Sequence, residues 1–285
     1  MKRSLLAIAL GLILGAGTAN AEILDTVSIL NPTAATFFTV DTLDWSSSGS
    51  GLAEGIGAPP GTPILAGTNF TFDYQAFLAG ATLGGAAVTG FNTGLNSTFE
   101  YTIVAKLQET VIDSALALLD PAIFSTLGGT WAIYESAPNA VVGTGVGFDD
   151  GTLVASGTID PGQISSFTLT SLDSGIGSAL LEGLISTINT AFLKDIGVGT
   201  GLPLFDFRFE GTQNLPPLDS TTTAFFVGGS ATQYPTVTVG TGDLLLKVDG
   251  SNKFSVEAIP EPSTMLLLGV GLLGLAGYTR KRMNS

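Results

Sequence analysis

The chain has 285 residues, with 24 acidic side chains against 10 basic ones and a formal net charge of −14. It contains neither His nor Cys, which excludes the usual zinc and copper ligand sets, Ser-His-Asp and Cys-His catalysis, and disulfide stabilisation. Carboxylate chemistry and the binding of hard cations by oxygen remain open, while the acidic balance sets nucleic acid aside as a partner.

At the N-terminus, Lys2 and Arg3 precede the apolar run Leu5 to Ala16, and Ala19-Asn20-Ala21 has a small-residue cleavage pattern. Residues 1–21 therefore read as a secretory signal peptide, taken by the Sec export machinery and cut between Ala21 and Glu22. A retained N-terminal membrane helix is the alternative reading.

Residues 22–258 read as a β-rich extracellular domain, long enough to bury a sizeable core as one large unit or two smaller ones. The clearest strand lies within Ser97 to Val111. There Phe99, Tyr101, Ile103, Ala105 and Leu107 alternate with Glu100, Thr102, Val104, Lys106 and Gln108, which puts one apolar and one mostly polar face on an antiparallel strand. Shorter runs of the same character include Thr36 to Val40, Phe70 to Phe77, Gly129 to Glu135, Thr152 to Ile159, Ser165 to Thr170, Leu204 to Glu210 and Leu244 to Val248. Two stretches break the strand rhythm. Residues 41–67, with Ser46-Ser47-Ser48-Gly49-Ser50-Gly51 and Pro59-Pro60-Gly61, read as a long surface loop or seam. From Ile176 to Ile196, apolar residues at Ile176, Leu180, Leu184, Ile188, Ala191 and Phe192 predict one amphipathic helix. The fold class expected is mainly β: an antiparallel β-sandwich-like ectodomain with one amphipathic helix, an N-terminal signal peptide and a C-terminal hydrophobic helix.

Within the domain, Asp149 and Asp150 sit in a Gly-flanked turn and Asp160 follows in sequence, so these three acids are the candidates for a calcium site. A solvated Asp-Gly turn is the competing reading, and no EF-hand spacing is present. A carboxylate-dependent glycosidase would need two acids across a cleft, and no pair among the 24 stands out. A sugar-stacking platform would draw on Trp45, Trp131, Tyr74, Tyr101 and Tyr134. Trp131 and Tyr134, three apart in a strand, fall on opposite faces, which favours packing in a core.

The last segment, 259–285, opens on Pro260-Glu261-Pro262-Ser263-Thr264, continues as an apolar run from Met265 to Tyr278, and ends on Arg280-Lys281-Arg282. The cations act as a membrane stop with the positive end held in the cytoplasm. As a helix the 14 residues of the run would span only about 21 Å against a hydrocarbon core of about 30 Å, short for a permanent anchor. A buried core helix is the alternative, against which the terminal cations argue. This three-part tail resembles the PEP-CTERM sorting signal of Gram-negative bacteria. The resemblance implies a membrane-embedded exosortase as partner, transient residence in the bacterial membrane through 265–278, cleavage near Pro260, Glu261 and Pro262, and delivery to the cell surface or extracellular matrix. With the basic residues of both terminal signals removed, five cations face 24 acids and the mature charge is about −19.

The stretches Gly128-Gly129-Thr130-Trp131-Ala132-Ile133-Tyr134-Glu135 and Asp149 to Gly157 resemble flocculation-associated PEP-CTERM proteins. That resemblance implies a part in holding cells to exopolysaccharide and carries over no functional residue. The expectation is a non-enzymatic, exosortase-sorted surface or matrix protein without a resident cofactor, acting in adhesion, flocculation or biofilm. The alternative is a secreted carbohydrate-binding module or a carboxylate-dependent glycosidase.

Overall fold

A computed structural model describes residues 26–56, 63–115, 119–171, 174–194, 203–209, 222–229 and 233–256. The signal peptide with Ala19 and Ala21, and the whole segment 259–285, lie outside the described residues. The elements in chain order begin with β1 (Val27–Asn31), β2 (Thr36–Val40), β3 (Thr42–Trp45), β4 (Gly49–Ala53), β5 (Asn69–Leu83), β6 (Ala86–Ala87) and the short helix α1 (Thr89–Asn92). The long strands β7 (Glu100–Asp113), β8 (Pro121–Ser136), β9 (Thr152–Ile159), β10 (Ile164–Ser171) and β11 (Ser174–Ile188) follow. The remainder is β12 (Leu193–Lys194), β13 (Pro203–Phe209), β14 (Ala224–Phe225), β15 (Val237–Thr238), β16 (Leu244–Val248) and β17 (Gly250–Val256).

The long strands pair antiparallel in sequence order, and the last returns to the first. β3 and β4 together lie along β5, β5 pairs β7, β7 pairs β8, and β8 pairs β9 and β10 in succession. β9 and β10 both pair β11, β11 pairs β13, and β13 pairs β17. β17 closes the ring on β3, with β16 beside β4. Counting each of β3–β4, β9–β10 and β16–β17 as one interrupted strand, this is an eight-position up-and-down barrel. The expected sandwich-like pairing is thus a closed ring. Closure leaves no strand edge where the ring is complete, which suits a chain without disulfides.

The alternation of β7 decides what fills the barrel. Register places Tyr101, Ile103, Ala105 and Leu107 on the same face as Tyr74 and Ala76 of β5 and Trp131 and Ile133 of β8, and all of these are buried in one cluster with Trp45, Leu43 and Phe254. Trp45 donates its Nε1–H to Asn252 Oδ1 at 2.8 Å inside this core. The interior is apolar, the reverse of membrane-spanning barrels. Among the described residues no helix is long and apolar enough to cross a membrane.

One end of the barrel is capped. β1, β2 and β12 form a small sheet over it, and Phe91 of α1 packs against Phe38, Phe99 and Tyr101 with ring centroids 6.0 to 6.5 Å apart. Asn31 ties the cap down by donating to the carbonyls of Phe91 and Thr93 at 2.9 and 3.0 Å. Outside the wall, the segment between β8 and β9 and the β14–β15 pair cover β4, β7 and β8, burying Leu52, Val104, Phe148, Phe225 and Tyr234 between the layers.

Two expectations are corrected. The predicted amphipathic helix over 176–196 is the strand β11, followed by the two-residue β12. Its apolar residues recur every four positions, a spacing that keeps one face in a helix and equally in a strand. Gly177, Gly183 and the β-branched Ile185, Thr187 and Ile188 then favour the strand. The loop expected over 41–67 contains β3 and β4, and only the part after Ala53 connects. The glycines there serve close packing: a Cβ on Gly51 would come within 2.6 Å of the Phe72 ring and of Val248.

Candidate functional site

The barrel interior changes character along its length. The half beneath the cap is filled by Trp45, Trp131, Tyr74 and Tyr101, each with zero exposure. The other half, toward the connections after β4, β7 and β10, holds Phe70, Val111, Phe124 and Phe167 in a second buried cluster, and between them lies a cavity of about 100 Å³. Its emptiness has a local cause. Where the packed half carries indoles, the cavity wall carries Ala53, Ser165, Gly177 and Ala179.

The cavity also lies where the described strands leave the wall open. β13 reaches Phe209, which is level with Ala179 of β11 and Gly250 of β17. Beyond that level no described strand joins the first residues of β11 to β16. Gly177 and Ser178 on one side of the opening and Leu246 and Lys247 on the other all line the cavity.

Of the two acids that line this space, Glu109 and Asp249, Glu109 is the buried one. Glu109 is 6 % exposed and occupies the inward position of β7 that follows Leu107. Its Oε1 accepts from the Ser165 hydroxyl at 3.4 Å and from the Thr126 hydroxyl at 3.5 Å. Burial pushes its pKa up to about 7, against the opposing pull of those two hydrogen bonds. In mild acid it is a neutral acid able to donate a hydrogen bond, and in mild base it is a buried anion.

The acids singled out from the sequence do not come together. Asp149 and Asp150 precede β9 and Asp160 follows it, and a strand of eight residues spans about 26 Å, so no single ion touches all three. Asp149 is 1 % exposed, with neither carboxylate oxygen hydrogen-bonded, and burial followed by the charge of Asp150 pushes its pKa up to about 6. Asp150 accepts from Asn139 Nδ2 at 3.0 Å. Among the described residues no group of three or more acids could hold a metal ion. Two other buried acids have structural partners: Glu100 accepts from the backbone N–H groups of Asn139 and Ala140 at 2.8 and 2.9 Å, and Asp73 meets Lys106 Nζ at 2.9 Å.

The aromatic platform is absent as well. Trp45, Trp131, Tyr74 and Tyr101 lie in the barrel interior and Tyr134 in the outer cluster, so none of the five faces solvent. Opposite faces for Trp131 and Tyr134 follow from their spacing, as expected. Glu109 was not singled out, although its signal is in the sequence: it continues the apolar face Phe99, Tyr101, Ile103, Ala105, Leu107 by one further step of two.

The described part of the chain is thus an apolar-cored antiparallel barrel with a cavity at its open end. Residues 258–282, at the C-terminus, match the family model of the PEP-CTERM protein-sorting motif, which takes in Pro260, Glu261 and Pro262 and the cations Arg280, Lys281 and Arg282. The chain carries the sorting signal of an exosortase substrate, and the motif supports an exported, cell-envelope-associated protein. No curated protein and no solved structure matches the chain.

Proposed function

We propose that this protein is a non-enzymatic component of the cell surface or exopolysaccharide matrix of a Gram-negative bacterium, acting in adhesion, flocculation or biofilm. The observation that carries the reading is the sorting motif at 258–282 on a mature chain of about −19 charge. A strongly acidic surface stays soluble after release and associates with acidic polymer through shared cations rather than by direct charge attraction. Burial of the five candidate stacking aromatics favours this reading over a sugar-stacking module. The segment 265–278 resides in the membrane until the exosortase acts at Pro260-Glu261-Pro262.

Deleting Pro260 to Ser285 tests the reading. Surface display and cell aggregation are expected to fall together, with the truncated chain appearing in the culture medium. Unchanged display in the deletion strain overturns the sorting role, and display lost with aggregation unchanged overturns the adhesive one.

A further inference from the structure

We infer that the open end of the barrel is a binding site for a compact apolar molecule bearing one hydrogen-bonding group, held by the cavity wall with that group on Glu109 and Ser165. The inference is independent of how the protein is sorted.

Three observations converge on it. The void is confined to one half of an interior whose other half is filled by four fully buried indole and phenol side chains, so it is not general looseness; protein cores are packed with few voids larger than a water. Its lining is mostly apolar, with the buried pair Glu109 and Ser165 hydrogen-bonded to each other and Ser166, Ser178, Lys247 and Asp249 as its other polar or charged residues. Strand alternation calls for an apolar residue at position 109, and a carboxyl placed there is costly to bury. It gives a ligand something to recognise. Finally, among the described residues no strand joins the first residues of β11 to β16, and Gly177 and Ser178 on one side and Leu246 and Lys247 on the other line the cavity at that level. Mouths of β-barrels that combine apolar walls with a few fixed polar groups are preferred places for small ligands.

Size narrows the class. A dry engineered cavity of about 150 Å³ takes benzene, so a cavity of about 100 Å³ with an opening suits a ligand no larger than about one six-membered ring, such as a phenol or a short-chain alcohol, with part of it in the opening. A hexose, hydroxylated on every side, would leave most of its polar groups unpaired against Phe70, Phe124 and Leu244.

The test is titration of the full chain with phenol, benzene and glucose, followed by ligand-observed magnetic resonance. Saturable binding of phenol and benzene is expected, with phenol at least tenfold tighter and glucose not bound. Ala179→Leu, which fills the cavity from β11, should weaken both aromatic probes at least tenfold; if that variant does not fold, Ala53→Leu fills it from β4. The proposal is overturned by no saturable binding of either aromatic, as when the chain's own residues occupy the space. It is equally overturned by binding that survives the filling variant, or by glucose binding more tightly than phenol. Equal affinity for phenol and benzene overturns the part assigned to Glu109.

Discussion

Glu109 is the residue whose sequence position and chemical state are most at odds. It holds an inward site on β7, yet its carboxyl is ionisable, and burial raises its pKa from 4.5 to about 7. Between those two values the folded chain keeps a proton that the unfolded chain has released. The contribution is therefore fully favourable below about pH 4.5 and is lost as pH rises toward 7. Relative to acid, the shift costs roughly 3 kcal/mol above pH 7. Glu109→Gln keeps an acceptor for Ser165 and Thr126 and removes the charge. Chemical denaturation at pH 5 and pH 8 is expected to show the native chain losing stability with pH, and Glu109→Gln losing clearly less. An identical loss in both would remove Glu109 as the cause. Asp149, with its pKa raised to about 6, adds a slope of the same sign that this variant leaves in place. At this scale the sequence was only partly legible. The inward register of 109 could be read from alternation, whereas the separation of Asp160 from Asp149 depends on β9 running straight between them, and the burial of Asp149 depends on a distant segment reaching it.

β11 is the element on which sequence periodicity and structure part company. A four-residue apolar spacing is common to both helix and strand, so Ile176, Leu180 and Leu184 could not decide between them; these three are the outward, exposed residues of the strand. The inward face is carried by Gly175, Gly177, Ala179, Leu181 and Gly183, small residues apart from Leu181, which together carry little apolar signal. Neighbouring strands explain the smallness. A Cβ on Gly157 of β9 would overlap the Leu184 carbonyl and come within 2.9 Å of Trp131 Nε1, and one on Gly183 would overlap the Thr158 carbonyl and approach Ile159 Cα at 3.0 Å. Gly157→Ala and Gly183→Ala are therefore expected to destabilise by about 1–3 kcal/mol each. Gly242→Ala, where nothing lies within 4 Å of the added carbon, should stay within about 0.5 kcal/mol of the native chain. Thermal or denaturant melts check this, and equal effects at all three sites would refute the packing argument. By contrast β7, β9 and β16 were legible almost residue for residue, since strict alternation over β7 and clean turn residues around the other two leave no competing period.

At the scale of the whole molecule, the direction of the last strand links the sorting signal to the cavity. β17 runs so that Val256 pairs with Pro203 and Lys253 with Thr42, which brings the chain out at the capped end, on the side of β1, β2 and α1. The cavity lies toward the other end, with Ile64 and Phe124 in its lining. On the proposal that the tail is held in the membrane before processing, the cap should face the bilayer and the mouth should face away, leaving the cavity accessible before and after processing. This polarity could not be read from the sequence, because it requires the barrel to close and β17 to take its place beside β3; the C-terminal sorting motif could, because it is a local pattern of charge and apolarity. The absence of Cys makes the orientation measurable with single labels. Ala34→Cys, exposed in the β1–β2 turn, marks the cap, and Leu65→Cys, 56 % exposed before β5, marks the mouth. With the full chain reconstituted in vesicles and each site carrying a fluorophore, lipids bearing a quencher should quench the label at position 34 more strongly than the label at position 65. The connection from Val256 to Met265 is nine residues, at most about 32 Å when fully extended. That reach is short beside strands of 14 to 16 residues, which measure roughly 46 to 53 Å along their own axes. Even a fully extended connection should leave the mouth the more distant end, and stronger quenching at position 65 would mean that the barrel lies on its side or inverted against the membrane.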